Sequence, residues 1–189
     1  MNHGEDLINE AFEEVDRRNF VLPEYLDSAY DDIPLPIGEG QTISQPTTVR
    51  MMLEWLDAKP GDKVLDVGSG SGWTTALLSD IVGPKGTVYA VELVPELKNF
   101  GEENCRKADI RNAKFFLAET KLGLLKFAPF DRILVSAAAE ELPEELPDQL
   151  KDGGKLVVPV GNSIFEIKKE KNKIKSLEHQ GFVFVPLIH

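Results

Sequence analysis

Lys63-Val64-Leu65-Asp66-Val67-Gly68-Ser69-Gly70-Ser71-Gly72-Trp73 is the stretch from which the fold of this chain is most directly predicted. An apolar run that contains one acid leads into glycine at every second position. This pattern is typical of a buried parallel strand whose carboxyl end enters a tight turn, with a helix opening near residue 73. Because glycine has no Cβ, such a turn lets a ligand lie directly against the backbone.

Two classes of nucleotide ligand bind turns of this kind. The dinucleotide fingerprint G-x-G-x-x-G, counted from Gly68, would need glycine at position 73, where this chain has Trp73. An acid in the strand followed by three alternating glycines resembles instead the first motif of class I S-adenosylmethionine-dependent methyltransferases. That resemblance implies that Asp66 organises the turn and receives the ammonium group of the cofactor, directly or through water. A glycine-rich turn without a ligand remains the alternative, although Glu92 lies where an acid that binds ribose is expected.

Composition narrows the class of protein. The 189 residues suit one domain with a substantial core, and the formal net charge of −11 disfavours nucleic acid as a partner, since phosphate neutralisation dominates that affinity. We find no apolar stretch as long as a membrane span and no signal-peptide pattern. The single cysteine, Cys105, excludes an internal disulfide and is predicted to be buried, and three widely spaced histidines suggest no metal site. We expect a cytoplasmic protein, monomeric, with neither metal nor membrane partner.

The first 46 residues are predicted to form a cover over the domain. Apolar residues recur at helical spacing through residues 7–15, which predicts an amphipathic helix. Residues 21–45 show neither the helical nor the strand period, but they carry too many apolar residues for a disordered linker. We interpret this second part as an ordered, extended covering segment.

From residue 47 onward, helical and strand patterns alternate. We predict helices over 47–56, 73–82, 95–108 and 144–151, strands over 63–68, 87–92, 113–118, 130–136 and 155–160 after a Gly153-Gly154 turn, and a terminal hairpin that pairs 164–169 with 181–187 around a lysine-rich tip at 168–173. This order predicts an α/β fold with a doubly wound, mostly parallel seven-stranded sheet, Rossmann-like as in class I methyltransferases, and an antiparallel edge hairpin. Within one domain, 1–189, residues 47–189 form the cofactor-binding core and residues 1–46 the cover that carries the active-site segment.

The carboxyl ends of the parallel strands are expected to meet along one rim. In doubly wound sheets the ligand lies outside these ends, at the point where the strand order reverses. That rule brings together residues 68–72, Glu92, Glu119 and residues 136–139. Glu92 ends the second strand, and a carboxylate there can accept both ribose hydroxyls; a solvent-facing acid at a strand end is the plainer alternative.

Residues 34–46, P-L-P-I-G-E-G-Q-T-I-S-Q-P, resemble the signature of the protein-L-isoaspartate O-methyltransferases. Further family landmarks follow in the expected order, at Arg18, Phe20-Val21, Pro23, Ala29-Tyr30, Asp32, Ala128-Pro129-Phe130-Asp131, Ser136-Ala137-Ala138-Ala139, Gln149-Leu150, Gly153-Gly154, Val158-Pro159-Val160-Gly161 and Phe184-Val185-Pro186-Leu187. The Gln-Thr-Ile-Ser-Gln-Pro element is specific to that family, whereas the glycine turn is shared by many methyltransferases. The resemblance covers about residues 7 to 187.

The resemblance implies a role in the repair of damaged proteins. Enzymes of this family move a methyl group from S-adenosylmethionine, leaving S-adenosylhomocysteine, to the free α-carboxylate of an L-isoaspartyl residue. The ester then closes to a succinimide that reopens partly to normal aspartate. Isoaspartyl proteins and peptides are therefore the implied partners.

The resemblance also assigns roles to individual residues. Ser44 takes the position of the active-site serine. The implied substrate contacts are Ile37, Gly38, Thr42, Ser44, Gln45 and Ala137. The implied cofactor contacts are Gly40, Gln41, Thr42, Asp66, Gly68, Ser69, Gly70, Ser71, Gly72, Glu92, Leu93, Glu119 and Thr120. Glu119 stands where the family usually has an aspartate that meets the adenine amino group, and Trp73 replaces a tyrosine or smaller residue, which predicts a more crowded cofactor pocket.

The chemistry of the reaction suggests how Ser44 would act. An α-carboxylate has a pKa of about 3.3–3.7, so the nucleophile is ionised at neutral pH without a general base. Alignment of reactants is worth about 7–11 kcal/mol in the best cases, far more than one hydrogen bond to a charged group at about 1.5–3 kcal/mol. We therefore interpret Ser44 as an orienting donor rather than a nucleophile. Its alternative role is the N-cap of the helix that opens near Pro46.

Two further functions stay open from the sequence. One is a class I methyltransferase that acts on another substrate such as RNA, because the Gly83-Pro84-Lys85-Gly86 turn and the following strand also resemble RNA methyltransferases. The acidic charge and the lack of a basic face argue against that function. The other is a non-catalytic S-adenosylmethionine-binding module, which the substitutions at Glu119 and Trp73 motivate. Cofactor calorimetry together with an isoaspartyl peptide assay separates these possibilities.

Overall fold

The computed structural model describes residues 3–171 and 173–187. Its helices are α1 (His3–Glu14), α2 (Pro46–Leu56), α3 (Trp73–Val82), α4 (Pro95–Lys107) and α5 (Glu145–Asp148), with 3-10 helices at Arg17–Phe20, Pro23–Ser28 and Leu125–Phe127. Its strands are β1 (Leu35–Gly38), β2 (Gln41–Ile43), β3 (Lys63–Val67), β4 (Thr87–Glu92), β5 (Ala113–Leu117), β6 (Phe130–Val135), β7 (Leu150–Val160), β8 (Ser163–Glu170) and β9 (Lys173–Gln180).

The central sheet has seven strands in the order β5-β4-β3-β6-β7-β8-β9. Strands β3 to β7 pair in parallel, whereas β8 is antiparallel to both β7 and β9. The chain moves outward from β3 through β4 to β5 and then returns to the other side of β3 at β6. The order therefore reverses between β3 and β6, and the rim above these two strands is the expected ligand position. The predicted seven-stranded, mostly parallel sheet with an antiparallel edge is confirmed.

The two faces of the sheet pack against different elements. One face packs against α1 to α4, with Leu53, Leu56, Leu77 and Leu78 among the fully buried residues. The other face is covered by residues 122–130 and the short helix α5, and its core is centred on Phe130. Because the parallel strands are buried on both faces, β3 and β4 read as continuous apolar runs.

The cover is more structured than an extended segment. Helix α1 packs against α3 and α2 through a buried apolar face that includes Ile8 and Ala11. Two 3-10 helices follow, and β1 and β2 then form a separate antiparallel hairpin. The prediction of an ordered cover is confirmed, but its local structure differs from the predicted extended chain. Short 3-10 helices and strands of four and three residues are too short to leave a period in the sequence.

The second strand of the edge hairpin was predicted at the wrong segment. Residues 181–187 are not a strand; β8 pairs instead with β9, which runs from Lys173 to Gln180. Strand β9 lies at the sheet edge and is almost wholly exposed, so it lacks the alternation of apolar and polar residues that identifies a half-buried strand. The lysine-rich run does lie around the hairpin turn, although Asn172 is outside the described residues.

Two boundaries near β7 also differ from the prediction. The helix expected over 144–151 is one turn, Glu145–Asp148, and β7 already begins at Leu150. The Gly153-Gly154 pair lies inside β7, where the pairing with β6 shifts register and Gly153 has a φ of +82°. A bulge that needs a left-handed residue explains this glycine within a strand.

The sequence also led to expectations about membrane-spanning helices, metal sites and Cys105. No helix among residues 3–171 and 173–187 has the length and apolarity needed to cross a membrane. In the same residues, no group of three or more His, Cys, Asp or Glu is arranged to hold a metal ion. Met1, Asn2 and His189 lie outside the described residues. Cys105 is buried, as predicted.

Candidate functional site

The glycine turn directly follows β3 and is fixed by β4. The amides of Gly68 and Ser69 both donate to the carbonyl oxygen of Val91, at 2.8 and 3.1 Å. Gly68 and Gly70 have φ values of +79° and +49°, which residues other than glycine rarely adopt. A Cβ on Gly70 would lie 3.1 Å from Cδ1 of Ile37 in the cover. The turn therefore keeps a narrow space open between the core and the cover.

Gly72 serves helix packing rather than the open face of the turn. A Cβ at this position would lie 2.7 Å from the carbonyl oxygen of Gly101 in α4 and 3.1 Å from the sulfur of Cys105. The Cys105 thiol donates to the Gly72 carbonyl oxygen at 3.4 Å, and the side-chain amide of Asn104 donates to the Ser71 carbonyl oxygen at 3.0 Å. The third glycine therefore lets α4 approach the start of α3 closely.

Glu92, at the end of β4, holds the turn with its carboxylate. Its Oε2 accepts from the amide of Gly70 at 2.9 Å, and its Oε1 accepts from the amides of Leu93 and Val94 at 2.8 and 3.1 Å. The side chain is buried. A carboxylate offers about four acceptor positions. Three are occupied by backbone donors, so Glu92 first organises the turn and retains capacity for a ligand hydroxyl.

Asp66 lies beneath the turn and is fully buried. Its Oδ2 accepts from the Thr75 hydroxyl at 2.6 Å, whereas its Oδ1 has no partner in the described chain. Burial raises the pKa of Asp66 to about 7, opposed by the Thr75 hydrogen bond and reinforced by the nearby charge of Glu92. An unpaired, buried carboxyl oxygen of this kind is suited to a cationic ligand group or a bound water, because either would supply the missing donor.

A cavity of about 930 Å³, including its open mouth, lies between the turn and the cover. Twelve of the predicted site residues line it: Ile37, Gln41, Thr42, Ser44, Gly68, Ser69, Gly70, Ser71, Glu92, Leu93, Glu119 and Ala137. Six predicted residues are not in its wall: Gly38, Gly40, Gln45, Asp66, Gly72 and Thr120. Gly38 and Gly40 are exposed in the β1–β2 turn, and Thr120 is exposed beside Glu119.

Ser44 reaches this cavity from the cover, whereas the glycine turn reaches it from the core. Within residues 3–171 and 173–187 its hydroxyl makes no hydrogen bond, so the hydroxyl is available to a ligand. The N-cap of α2 is Gln45, and its side chain makes no capping bond. The amide of Thr47 is instead capped by Asp32 Oδ1 at 2.9 Å. The alternative role of Ser44 as the helix N-cap is therefore not what the structure shows.

A second depression adjoins the cavity, and we call it the entrance groove. Its lining residues are Pro34, Thr42, Ser44, Gln45, Thr48, Ser136, Val183, Phe184 and Val185. Both spaces are lined by Thr42, Ser44, Ser136 and Val185. Gln45, predicted as a substrate contact, thus lies in the groove rather than in the cavity.

The C-terminal segment 181–187 forms one wall of both spaces. The amide of Ala138 donates to the Val185 carbonyl oxygen at 2.8 Å, and the amide of Leu187 donates to the Ala138 carbonyl oxygen at 2.7 Å. This attachment carries Val185 and Pro186 across the carboxyl end of β6. Sequence reasoning missed them as site residues because residues 181–187 were predicted to be the second strand of the edge hairpin.

Arg17 and Gln149 were also missed. Arg17 is buried under the cover and donates to the Ser44 carbonyl oxygen at 3.0 Å. Gln149 is buried, donates to the Leu122 carbonyl oxygen and accepts from the Leu124 amide, both at 2.8 Å, which fixes the loop beside Glu119. Arg17 and Phe20 are three residues apart in a 3-10 helix and share its buried face, which is the pattern that could have identified Arg17.

Trp73, expected to crowd the cofactor pocket, lines part of the cavity wall. Its indole is 3% exposed, packs edge-on against Phe12 at 5.5 Å between ring centroids, and lies beneath the Arg17 guanidinium. The Trp73 ring therefore packs between α3 and the cover.

These features fit S-adenosylmethionine. The left-handed glycines leave backbone open to the ligand, and the buried hydroxyl of Ser69 and Oδ1 of Asp66 both lack partners in the described chain. Glu92 retains acceptor capacity where a ribose would lie. Glu119 is an exposed acid on the same wall, where an amino group could reach it.

Comparisons with known proteins agree with this site. The sequence profile of protein-L-isoaspartate(D-aspartate) O-methyltransferase (PCMT) matches residues 2–189. A protein-L-isoaspartate O-methyltransferase of Methanothrix thermoacetophila is 42% identical over 189 residues, which cover 99% of this chain and 90% of that protein.

Two solved structures have the same fold over nearly the whole chain. One, named protein-L-isoaspartate O-methyltransferase, is 31% identical with a TM-score of 0.89; the match covers 97% of this chain, which spans 62% of that one. The other, a Plasmodium falciparum chain assigned as the same enzyme and solved in complex with S-adenosyl-L-homocysteine, is 30% identical with a TM-score of 0.83, and the match covers 97% of this chain and 90% of that one. The chain therefore belongs to the protein-L-isoaspartate O-methyltransferase (PCMT) family.

Proposed function

We propose that this protein methylates the free α-carboxylate of L-isoaspartyl residues in damaged proteins, with S-adenosylmethionine as the methyl donor. The observation that carries the proposal is the shared cavity: Ser44 of the cover and the glycine turn of the core open onto the same space. Membership of the PCMT family supports the choice of substrate. In this arrangement a carboxylate bound at Ser44 and a cofactor bound at the turn would face each other.

The cofactor side of the cavity has the donors and acceptors that the ligand requires. We assign Gly68, Ser69, Gly70 and Ser71 to close backbone contact, together with Gln41 and Thr42 from the hairpin. Glu92 accepts ribose hydroxyls with its remaining capacity, while Leu93 and Glu119 lie along the adenine. Asp66 acts from below the turn, through its unpaired Oδ1 and through water.

The substrate side needs little proton chemistry. When bound, the cofactor supplies a methyl group already activated on a sulfonium. The substrate α-carboxylate is ionised at neutral pH because its pKa is about 3.3–3.7. The residues of this chain therefore hold the carboxylate in line and exclude water, and the Ser44 hydroxyl donates to one carboxylate oxygen. Ile37, Thr42 and Ala137 complete the wall around the reacting group.

The entrance groove is suited to the peptide chain on either side of the lesion. It continues outward from Ser44, and Gln45 and Val183 lie along it. Val183 is 89% exposed and is therefore accessible to a bound peptide. We assign Gln45 and this segment to contacts with the peptide backbone of the substrate.

The same proposal sets the context of the enzyme. Residues 1–189 act as one domain, in which residues 1–46 carry the substrate segment and residues 47–189 bind the cofactor. We propose a cytoplasmic monomer that uses no metal and binds no nucleic acid, consistent with the net charge of −11.

A matched pair of peptides tests the function. An isoaspartyl peptide and its aspartyl counterpart are incubated with the protein and methyl-labelled S-adenosylmethionine, and ester formation is counted. We expect methylation of the isoaspartyl peptide alone. Ser44→Ala should lower turnover by about 10- to 150-fold, the equivalent of one hydrogen bond to a charged group at about 1.5–3 kcal/mol.

Ser28→Ala, in the same cover but outside the cavity, is the control and should leave turnover unchanged. Equal methylation of the two peptides would refute the substrate assignment. Tight cofactor binding with no methylated product on any isoaspartyl peptide would indicate a non-catalytic module, and salt-sensitive binding of tRNA would indicate an RNA methyltransferase.

A further inference from the structure

Arg17 joins two segments of the cover, residues 29–33 and Ser44, through its guanidinium. Its Nη1 donates to the carbonyl oxygens of Ala29 and Asp31, at 2.6 and 3.3 Å, and its Nη2 donates to those of Ile33 and Ser44, at 3.1 and 3.0 Å. These four hydrogen bonds all end on backbone oxygens. One side chain thus fixes the path of residues 29–33 relative to the residue that supplies the cavity hydroxyl.

The same guanidinium also contacts the core. Its central carbon lies 4.9 Å from the centroid of the Trp73 ring, the first residue of α3. Trp73 directly follows the glycine turn, so Arg17 connects the cofactor side of the cavity with the substrate side. Stacking of a guanidinium on an indole is favourable, and more so when both are shielded from water.

This is an uncommon position for a cation, because Arg17 is 3% exposed. Burial lowers the pKa of Arg17 to about 10, and the charges of Asp32 and Asp31 oppose that shift. The group therefore stays protonated at neutral pH and is stabilised by carbonyl dipoles and the indole face. Lysine could not replace it, since an ammonium has three donors on one atom and cannot span four carbonyls across a plane.

We propose that Arg17 is a positioning residue for methyl transfer, which sets the position of the Ser44 hydroxyl relative to the cofactor turn. This inference rests on the proposed function, because it gives Ser44 the substrate carboxylate. Arg17 touches neither reactant and is not in the cavity wall. Its loss should therefore disturb alignment more than cofactor binding.

Two variants separate alignment from folding. Arg17→Lys keeps the charge and Arg17→Met keeps the apolar stem, and neither keeps the planar fork. The control is Arg18→Met, since Arg18 is the exposed neighbour in the same 3-10 helix. Each protein is titrated with S-adenosyl-L-homocysteine to count intact cofactor sites, and kcat for an isoaspartyl peptide is expressed per site.

We expect both Arg17 variants to lower kcat per site by about 10- to 100-fold, the loss associated with a displacement of about 1 Å at a reacting group. The Kd for S-adenosyl-L-homocysteine should stay within about threefold of the wild-type value. Arg18→Met should match the wild type in both kcat per site and this Kd. Unchanged kcat in Arg17→Lys would overturn the proposal. So would kcat and cofactor affinity that fall together, or the absence of cofactor sites in both variants, because Arg17 would then serve folding alone.

The outcome is distinct from failure of the proposed function. If the wild-type protein does not methylate the isoaspartyl peptide, the function itself is refuted. If the wild type is active and the Arg17 variants turn over equally fast per site, only the positioning role is refuted.

Discussion

Glu92→Gln is the substitution whose effect follows most directly from the geometry of the glycine turn. The carboxylate accepts from three backbone amides, with Gly70 on Oε2 and both Leu93 and Val94 on Oε1. A glutamine amide has one oxygen and one donor group, so at least one backbone N–H must face the NH2 of the new side chain. If the oxygen keeps the two amides, Gly70 loses its acceptor.

The expected loss of stability follows from that lost hydrogen bond. A hydrogen bond to a charged group contributes about 1.5–3 kcal/mol, and Glu92 is buried, so water does not replace it fully. For a chain of this length, 1 kcal/mol shifts Tm by about 2–4 °C, which gives an expected decrease of about 3–12 °C. The proposed bond to ribose weakens as well, because the acceptor becomes neutral. We expect an affinity for S-adenosyl-L-homocysteine lower by about tenfold or more.

Thermal unfolding followed by circular dichroism and calorimetry with S-adenosyl-L-homocysteine measure the two effects separately. Glu119→Gln is the matched control, since Glu119 is an exposed acid on the same cavity and the change is chemically identical. Its Tm should equal that of the wild type. A Glu92→Gln protein with Tm within 1 °C of the wild type and affinity within about twofold would refute this account of the turn.

Two further predictions concern the residues around the turn. Burial raises the pKa of Asp66 from 3.8 to about 7, so between these values the folded state holds a proton that the unfolded state has lost. The free energy of unfolding should therefore fall by about 3 kcal/mol between pH 4.5 and 7.5. Chemical denaturation of Asp66→Asn at these two pH values should show this dependence removed. An unaltered pH dependence would contradict the buried carboxyl. Gly72→Ala should cost about 1–3 kcal/mol more stability than Gly61→Ala, because both glycines have a φ near +90° but only at Gly72 does a Cβ meet backbone, at 2.7 Å. Equal losses in urea unfolding would show that α4 does not depend on this close approach.

The parts of the fold that the sequence predicted well are those with a strong period or a special turn. Strands β3 and β4 are buried on both faces and so read as apolar runs, and the three glycines mark the turn that follows β3. The position of Ser44 on the cavity followed from the family signature rather than from periodicity. In contrast, β9 could not be recognised, because an exposed edge strand is held by backbone hydrogen bonds and needs no apolar pattern.

The parts of the site that the sequence did not predict depend on tertiary contacts. Arg17 and Arg18 are adjacent and chemically identical, and only the 3-10 turn decides which one is buried. Gly72 looks like a third ligand-binding glycine, yet its space is occupied by α4. Helix α2 is not capped by the residue that precedes it. Its N-terminal cap comes from Asp32, which lies fourteen residues before Pro46 in a segment without helical or strand periodicity. Each of these roles is set by a partner distant in sequence.

A crystal structure with S-adenosyl-L-homocysteine and an isoaspartyl peptide would test the central claim most directly. We predict that the cofactor sulfur lies over Gly70 and that the peptide carboxylate lies between it and Ser44, within hydrogen-bonding distance of the Ser44 hydroxyl. A complex in which that hydroxyl faces solvent, with the peptide carboxylate bound away from the sulfur, would contradict the claim.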